Sequence, residues 1–341
     1  MADRSTDRRE QASASPAPSV GVYDSLGTEE ERAAFLKKVL RKQTARRAWR
    51  MRDFYVLLAP AVVLMFVFKY IPMYGVSIAF VDYNIVRGVL GSTWNNFKWF
   101  DWVFGDPFFW RVLRNTAMLA ILRTIFSFPA PIILALLLNE VRVTAYKRTV
   151  QSISYLPHFL SWIVLSGIVR ELLSMQSGTI PYLMEQMGIE PFAVLTTPEL
   201  FRGLIIAVTT WQSVGWGTIV FLAALSGVDP QLYESAAIDG TNRWQNAIHI
   251  TIPALVPVIT ILFLLSVGNI LEFGFDPIFN LYNSNVYEVI DVFETLVYRS
   301  GIEGARYSYA TAVQLFQNAV GLVVLVGANQ IVRRYSEYGV W

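Results

Sequence analysis

The segment 228–253 carries the residue types and spacing most suited to specific chemistry, and it reads VDPQLYESAAIDGTNRWQNAIHITIP. Asp229 can cap a helix, and Pro230 suits the first helical position, where its missing N–H costs nothing. Gly240 suits the left-handed residue that ends a helix. The spacing therefore predicts a helix from Pro230 to Asp239, about 15 Å long.

The side chains of this predicted helix favour close contact with another surface. Ser235, Ala236 and Ala237 are small, so a second backbone or a protein surface can approach closely. Glu234 adds one fixed charge. The chemistry that these residues support is recognition rather than the making of bonds.

A second helix is expected to follow on a sharp turn. Thr241 or Asn242 can cap it, and it would run through Trp244 and Ile248 into Pro253. Two short helices joined rigidly to a long apolar segment form an element that can transmit motion.

Covalent, metal and nucleotide chemistry have little support in the residues. The chain has no cysteine, which removes disulfides, thiolate metal sites and a cysteine nucleophile. The two histidines, His158 and His249, lack the spacing of metal ligands, so no metal site and no catalytic residue is expected. No Gly-Lys pair occurs, so a P-loop for ATP is absent. A net charge of +2 is too small to indicate a nucleic-acid surface.

The composition places the chain in a membrane. Hydrophobic residues make up 54% of the 341 residues and charged residues only 16%, whereas about a quarter is usual in soluble proteins. About 20 apolar residues are needed to cross the hydrocarbon of a bilayer. Six segments meet that length and predict an all-α membrane protein with six transmembrane helices, at approximately 54–80, 112–138, 153–173, 202–226, 254–275 and 310–332.

The distribution of basic residues predicts the topology. One set of connections holds eight Lys and Arg residues between 37 and 52, three after the second span, one after the fourth and two at the end. The other loops hold five in all: Arg87, Lys98, Arg111, Arg299 and Arg306. Since basic residues accumulate in cytoplasmic connections, both termini are expected to be cytoplasmic.

The N-terminal region divides into two parts. Residues 1–28 are rich in Ser, Ala, Pro and charge, which predicts a disordered cytoplasmic tail rather than a signal peptide. Residues 29–52 combine a narrow apolar stripe with many basic residues, which predicts an amphipathic interfacial helix on anionic lipid. A solvated basic helix is the alternative. The six-span domain is then 53–341, with the loop 228–253 on its cytoplasmic side.

The loop resembles the EAA loop of type I ABC importer permeases. Its pattern is Glu, Ala, Ala, three residues, Gly, nine residues, Ile, one residue, Leu, Pro. The matching positions are Glu234, Ser235, Ala236, Gly240, Ile250, Ile252 and Pro253, with departures only in Ser235 for Ala and Ile252 for Leu. The Asp239-Gly240 pair is similar to the carbohydrate branch. The stretches LLAPAVVLMFVFKYIPMYGVSIAFVDYN and GFDPIFNLYNSNVYEVIDVFETLVYRSG resemble polysaccharide and oligosaccharide permeases, including the alginate importer.

This resemblance implies a type I ABC importer permease fold and a transport role without an active site. It implies a pore made with a second homologous permease subunit, a dimer of cytoplasmic ABC ATPase and an extracytoplasmic solute-binding protein that delivers a carbohydrate. ATP and Mg²⁺ would bind to the ATPase, and this chain would bind no cofactor. The residues Glu234 to Gly240 would form the coupling helix that docks on the ATPase, in a bacterial cytoplasmic (inner) membrane.

Polar and aromatic residues within the spans are candidates for the substrate path, because sugars are held by hydrogen bonds and by aromatic faces. They are Trp211, Gln212 and Trp216 on the fourth span, Asn269 and Glu272 on one face of the fifth, and Gln314 and Asn318 on one face of the sixth. The alternative is that each holds helices together or meets the partner permease.

The charge of the sugar stays open. Lys69 and Arg123 within spans can snorkel or pair with a carboxylate, although an acidic sugar would give them a direct role. The negative charge of Glu272 argues against an anionic substrate.

Four other functions compete with this interpretation. They are import of another small solute, a membrane enzyme, a self-sufficient channel or secondary transporter, and a scaffold not coupled to ATP. An enzyme would need a catalytic constellation, and a channel or scaffold would leave the ESAAIDG element without a purpose.

Overall fold

The structure is a computed structural model that describes residues 51–335, together with Thr28, Phe35, Lys37 and Trp49 singly. The predicted tail 1–28 and almost all of the predicted basic helix 29–52 lie outside the described residues, so both stay predictions. The chain forms two compact units, Met1–Gly75 and Val76–Trp341.

Five helical runs in the described part are long and apolar enough to cross a membrane. They are Arg52–Phe80, Pro107–Glu140, Pro198–Leu225, Arg243–Gly268 and Tyr307–Arg334. They correspond to the first, second, fourth, fifth and sixth predicted spans. A bent pair of helices accounts for the third, which makes six spans when the pair is counted as one and confirms the predicted all-α membrane fold. The orientation of the termini stays a prediction.

The third span is bent, whereas the sequence predicts one continuous segment over 153–173. Thr144–Phe159 and Trp162–Leu172 meet at 106°. Pro157 lies just before the bend and has no N–H to continue a helix. Leu160 is extended, and the Ser161 side chain caps the next helix by accepting from the Val164 N–H at 3.4 Å. The break is therefore built into the local sequence.

The helices are numbered here in chain order. Those up to the fourth span are α1 (Arg52–Met65), α2 (Lys98–Gly105), α3 (Pro107–Leu122), α4 (Pro129–Glu140), α5 (Thr144–Tyr155), α6 (Trp162–Leu172), α7 (Thr179–Gln186) and α8 (Pro198–Leu225). Those that follow are α9 (Pro230–Ile238), α10 (Arg243–Asn246), α11 (Ile252–Gly268), α12 (Phe275–Leu281), α13 (Tyr287–Ile290), α14 (Phe293–Val297) and α15 (Tyr307–Tyr335). The linking turns are 3₁₀ at Ile71–Phe80 and Leu156–Phe159, and π-helical at Phe66–Tyr70, Arg123–Ser127, Ala247–Thr251 and Tyr298–Glu303.

A small two-stranded sheet follows the first span, whereas the sequence analysis predicts only helices. Strands β1 (Val81–Asn84) and β2 (Gly88–Trp94) pair antiparallel, with Val81 opposite Trp94. Gly88 has a φ of +66°, which suits the tight turn between them. β2 reads GVLGSTW, which has two glycines and no regular alternation of apolar and polar residues, so the sequence does not identify it as a strand.

The fifth helix ends earlier than predicted, at Gly268 rather than near 275. Glycine is a poor helix former, and two tight turns follow it, from the Asn269 N–H to Ser266 O and from the Ile270 N–H to Val267 O. The prediction that Asn269 and Glu272 share a face of this helix is therefore wrong.

The fourth span, α8, is central to the packing and contacts α4 and α5. Gly215 makes the closest approach, because a Cβ at that position would lie 2.0 Å from Ser154 O of α5. Small residues allow such backbone proximity between membrane helices. Beside this contact, the His158 and Trp216 rings stack with their centroids 4.7 Å apart.

Candidate functional site

The helix predicted in the loop 228–253 is α9. The Asp229 side chain accepts a hydrogen bond from the Gln231 N–H at 2.9 Å, and Pro230 occupies the first turn. Gly240 has a φ of +76°, the left-handed conformation that the sequence predicts for it. The helix covers Pro230–Ile238, one residue shorter than predicted.

The second predicted helix begins directly afterwards. Asn242 caps it, as one of the two candidates, in a reciprocal pair with Gln245 at 3.0 and 2.8 Å. The helix then runs through a π-helical turn, Ala247–Thr251, into α11. Pro253 has no N–H, so it cannot donate the helical hydrogen bond to the main-chain oxygen of residue 249. The π turn Ala247–Thr251 lies at this interruption of the helix. The loop is therefore continuous with the fifth span.

The outer surface of the loop is open to a partner. No residue of α9 is buried. Ile238 is 87% exposed and Trp244 is 79% exposed, so two large apolar side chains lie on this surface. Of the residues predicted to couple, Glu234, Ser235, Asp239, Gly240 and Pro253 are exposed, and Ala236 and Ile250 are half-buried.

An ion pair connects the loop to the second span. Arg243 Nε, at the start of α10, lies 3.9 Å from Glu140 Oε2, at the end of α4. Both side chains are more than a third exposed, so the ion pair contributes little to the stability of the protein. It shows instead that the two helix ends lie close together. It places the end of the second span and the start of the fifth on the same side of the protein as α9.

Two cavities of about 290 and 320 Å³ lie deeper among the spans and share part of their lining. Arg123, Ser127 and Ser213 border both of them. Arg123 and Ser127 are the ends of the π-helical turn between α3 and α4. The turn follows from Pro129, which lacks an N–H, and its closing bond runs from the Phe128 N–H to Arg123 O at 3.0 Å.

Three of the seven residues predicted for the substrate path border these cavities. Gln212 borders the first, and Trp216 and Asn269 border the second. The cavities are also lined by the hydroxyl groups of Thr124, Thr209 and Ser266 and by the aromatic rings of Phe128, Trp162, Phe221, Phe273 and Phe275. Hydroxyls and aromatic faces are the groups that the sequence analysis associates with a sugar.

The other four predicted residues lie elsewhere. Trp211 is 46% exposed on the outside of α8, and Glu272 is exposed. Gln314 donates to Asn318 Oδ1 at 3.2 Å, so these two share a face of α15 as predicted, away from both cavities. The cavities are also bordered by Arg123, for which the sequence leaves open a direct role with an acidic sugar, and by the segment Phe273–Pro277, which is not among the predicted residues. An arginine within an apolar helix was the available signal.

Charged groups near Arg123 set the electrostatics of the cavities. Its Nη1 donates to Glu272 O at 2.9 Å, and the carboxylates of Glu272 and Glu294 attract its charge. Burial raises the pKa of the Glu294 carboxyl, although a hydrogen bond from Gln317 opposes this effect. The arginine therefore has acidic neighbours, one of which is biased towards its protonated form.

The wall of the first cavity belongs to a segment, 271–291, that the spans hold by its main chain. Gly274 has a φ of +105°, which is unsuitable for other residues, and α12 begins directly after it. Five side chains of the spans donate to main-chain oxygens of this segment: Gln317 to residue 271 at 2.8 Å, Arg123 to 272 at 2.9 Å, Arg170 to 280 at 2.6 Å, Asn115 to 288 at 2.9 Å, and Arg202 to 289 at 3.0 Å.

Comparison with known proteins identifies this arrangement. The family described as "Binding-protein-dependent transport system inner membrane component" matches residues 127–275, which include α4, α8, the loop 228–253 and the start of the segment 271–291. The polygalacturonan/rhamnogalacturonan transport system permease protein YteP of Bacillus subtilis is 40% identical over 91% of this chain and 96% of its own length. Protein LplB of Bacillus subtilis is 43% identical over 84% of this chain and 90% of its own.

A solved structure agrees with the sequence relatives. A chain of a bacterial alginate ABC transporter, crystallised with an alginate pentasaccharide-bound periplasmic protein, is 39% identical and superposes with a TM-score of 0.80. The alignment covers 86% of this chain and 99% of the other. The chain belongs to the family of inner membrane components of binding-protein-dependent transport systems, and is a multi-pass permease rather than an enzyme. The resemblance to ABC importer permeases is confirmed.

Proposed function

We propose that this chain is one of two homologous permease subunits of an ABC importer for an acidic oligosaccharide or polysaccharide. An extracytoplasmic solute-binding protein would deliver the sugar, and a dimer of cytoplasmic ATPase would bind ATP and Mg²⁺. In this proposal the protein lies in a bacterial cytoplasmic membrane with α9 and both termini on the cytoplasmic side. The relatives are named as transport components for polysaccharides, which supports the proposal.

The geometry of α9 is the observation that carries the ATP-coupling part of the proposal. A short helix with an exposed small face and exposed Ile238 and Trp244 has the character of a docking element. Because it continues through α10 into the fifth span, a displacement of α9 would turn that span. Closure of the ATPase would then alternate the pore between outward and inward openings, and a ligand that binds these states unequally would shift their populations.

A bulky residue on the small face tests the coupling. We expect Ala236→Trp to reach the membrane but to lose ATPase stimulation by the sugar-loaded binding protein, because the indole would keep the two surfaces apart. Ala145→Trp is the matched control, since Ala145 is an exposed alanine in α5, outside the loop. The assay is ATP hydrolysis by the complex in lipid nanodiscs. Equal stimulation of wild type and Ala236→Trp would reject the docking role.

Arg123 supports an acidic substrate. It borders both cavities. Its guanidinium has five N–H donors, and the bond to Glu272 O uses one of them, so the group has further N–H donors that a substrate can use. A guanidinium is suited to a carboxylate, which it can bind with two parallel hydrogen bonds. Two similar proteins are described with polygalacturonan and with the acidic polysaccharide alginate.

A charge substitution at this residue tests the substrate class. We expect Arg123→Gln to reduce ATPase stimulation by a uronate oligomer at least tenfold, and Arg123→Lys to reduce it less, because a lysine keeps the charge but not the paired donors. Ser177→Ala, in the loop after α6, is a polar control away from both cavities. Stimulation by a neutral oligomer of equal length, with none by the uronate, would favour a neutral sugar.

A further inference from the structure

One hydrogen bond joins α9 to the fifth span independently of the chain between them. The Tyr233 hydroxyl lies 3.0 Å from Thr251 Oγ1. Tyr233 is in the middle of α9 and is half-buried, whereas Thr251 ends the π-helical turn before α11 and is only 1% exposed. The bond therefore connects an exposed helix to a buried point at the base of a span.

The direction of the bond follows from the second contact of Thr251. Its hydroxyl donates to Asn246 O at 3.3 Å, so its single proton is used there. Tyr233 is then the donor and Thr251 the acceptor. The phenol, the threonine and the main chain of α10 form one short chain of hydrogen bonds, in which each member orients the next.

No other side chain of α9 makes such a connection among the described residues. Tyr233 is the one side chain of this helix whose hydrogen bond extends past the connecting turn, and none of its residues is buried. On its other side, α9 is attached through the turn at Gly240, where Thr241 Oγ1 lies 2.7 Å from Ala236 O. The main chain also closes this turn, because the Gly240 N–H donates to Ala237 O and the Thr241 N–H to Ala236 O, both at 3.1 Å. These bonds are local to the turn, whereas Tyr233 connects the middle of α9 directly to the base of the fifth span.

We propose that Tyr233 and Thr251 are positioning residues that fix the angle between α9 and the fifth span, so that the span follows α9 when α9 is displaced. This inference rests on the proposed function. The π turn strengthens it, because such turns are local defects that often occur at functional sites and can absorb a displacement unless they are braced. Thr251 braces this one through its contacts with Tyr233 and with Asn246 O.

The test uses the reconstituted complex and measures sugar transported per ATP hydrolysed. Tyr233→Phe and Thr251→Val each remove the hydrogen bond and keep the size of the side chain. We expect each to lower the ratio by up to about fivefold, the change that one hydrogen bond supports. The double variant should be no worse than Thr251→Val alone, because that variant already removes the bond to Tyr233 together with the bond to Asn246 O. Thr251→Ser keeps the hydroxyl and should restore the wild-type ratio.

Three outcomes separate this inference from the function on which it rests. If wild type shows no sugar-stimulated hydrolysis, the proposed function fails. If wild type is stimulated and Tyr233→Phe keeps the full ratio, the positioning role alone is refuted. If the losses of the two single variants add, or if Thr251→Ser behaves as Thr251→Val does, the side chains act through packing and the inference is also wrong. Co-purification of the ATPase with each variant confirms that the complex assembles.

Discussion

Gly215 allows the fourth span to contact the bent third span, and adding one methyl group there has a large predicted effect. A Cβ at this position would lie 2.0 Å from Ser154 O, 2.4 Å from Ser154 C and 2.8 Å from Tyr155 N. All three are main-chain atoms of α5 or its neighbouring turn, so no side-chain rotation can relieve the clash. Since ordinary contacts begin near 3.4 Å, the two helices must separate by about 1.4 Å to bring the 2.0 Å contact to that distance.

The expected magnitude follows from this separation. Overpacking a well-packed interface costs about 1–3 kcal/mol, and a clash between two backbones belongs at the upper end of that range. We therefore expect Gly215→Ala to lower the stability by about 3 kcal/mol, which corresponds to a fall in Tm of roughly 4 °C for a chain of 341 residues. The stacking of His158 on Trp216, the residue after Gly215, should be lost with it.

Gly203→Ala is a matched control within the same helix. Gly203 is exposed, and a Cβ there would meet no atom within 4 Å. Because alanine favours a helix over glycine by about 1 kcal/mol, this variant should be as stable as wild type or more stable. The assay is thermal unfolding in mild detergent, followed by tryptophan fluorescence. Equal Tm values for the two alanine variants would refute the close contact of α5 and α8.

Two further predictions concern charge and capping. Asp291 is 1% exposed and pairs with Arg299, so Asp291→Asn should destabilise the protein by about 3 kcal/mol, because it leaves a partly buried guanidinium without its counter-charge. Asp82→Asn, in the exposed pair with Lys98, should cost at most about 1 kcal/mol. Equal losses of unfolding free energy for the two variants in chemical unfolding would contradict this difference. Asn242→Ala should lower the stability of the protein by about 1 kcal/mol, because it removes the cap of α10, and Asn242→Ser should recover most of that stability. Both variants are compared with wild type by Tm. An unchanged Tm for Asn242→Ala would show that the cap is dispensable.

The loop 228–253 could be predicted closely because its signals are local. The cap at Asp229, the proline that follows and the left-handed Gly240 each act on their own turn, and the structure has all three. Hydrophobic length likewise predicted five spans to within a few residues at most ends. Patterns of this kind depend on the residues themselves rather than on what they pack against.

The cavities could not be predicted in the same way, because they depend on defects in helices. The π turn that ends at Ser127, the bend at Leu160 and the early end of α11 at Gly268 decide which side chains face the interior. A regular helical projection ignores such defects, so it placed Glu272 on a face of the fifth helix and did not show that Arg123 borders both cavities. Gln212 lies in a regular part of α8 and borders the first cavity.

The way in which the spans hold the segment 271–291 has a consequence for how specificity can change. These five side chains all donate to main-chain oxygens, which every residue type supplies. The segment is also attached through buried side chains, among them Phe273 and Ile278 in the apolar core and Asp291 in its ion pair with Arg299. The half-buried Phe275 and the exposed Asp276 border the first cavity and lie outside that core, so these two residues can be exchanged while the attachment stays the same. Exchanging them between two importers should change the preference for a sugar without disturbing the membrane fold.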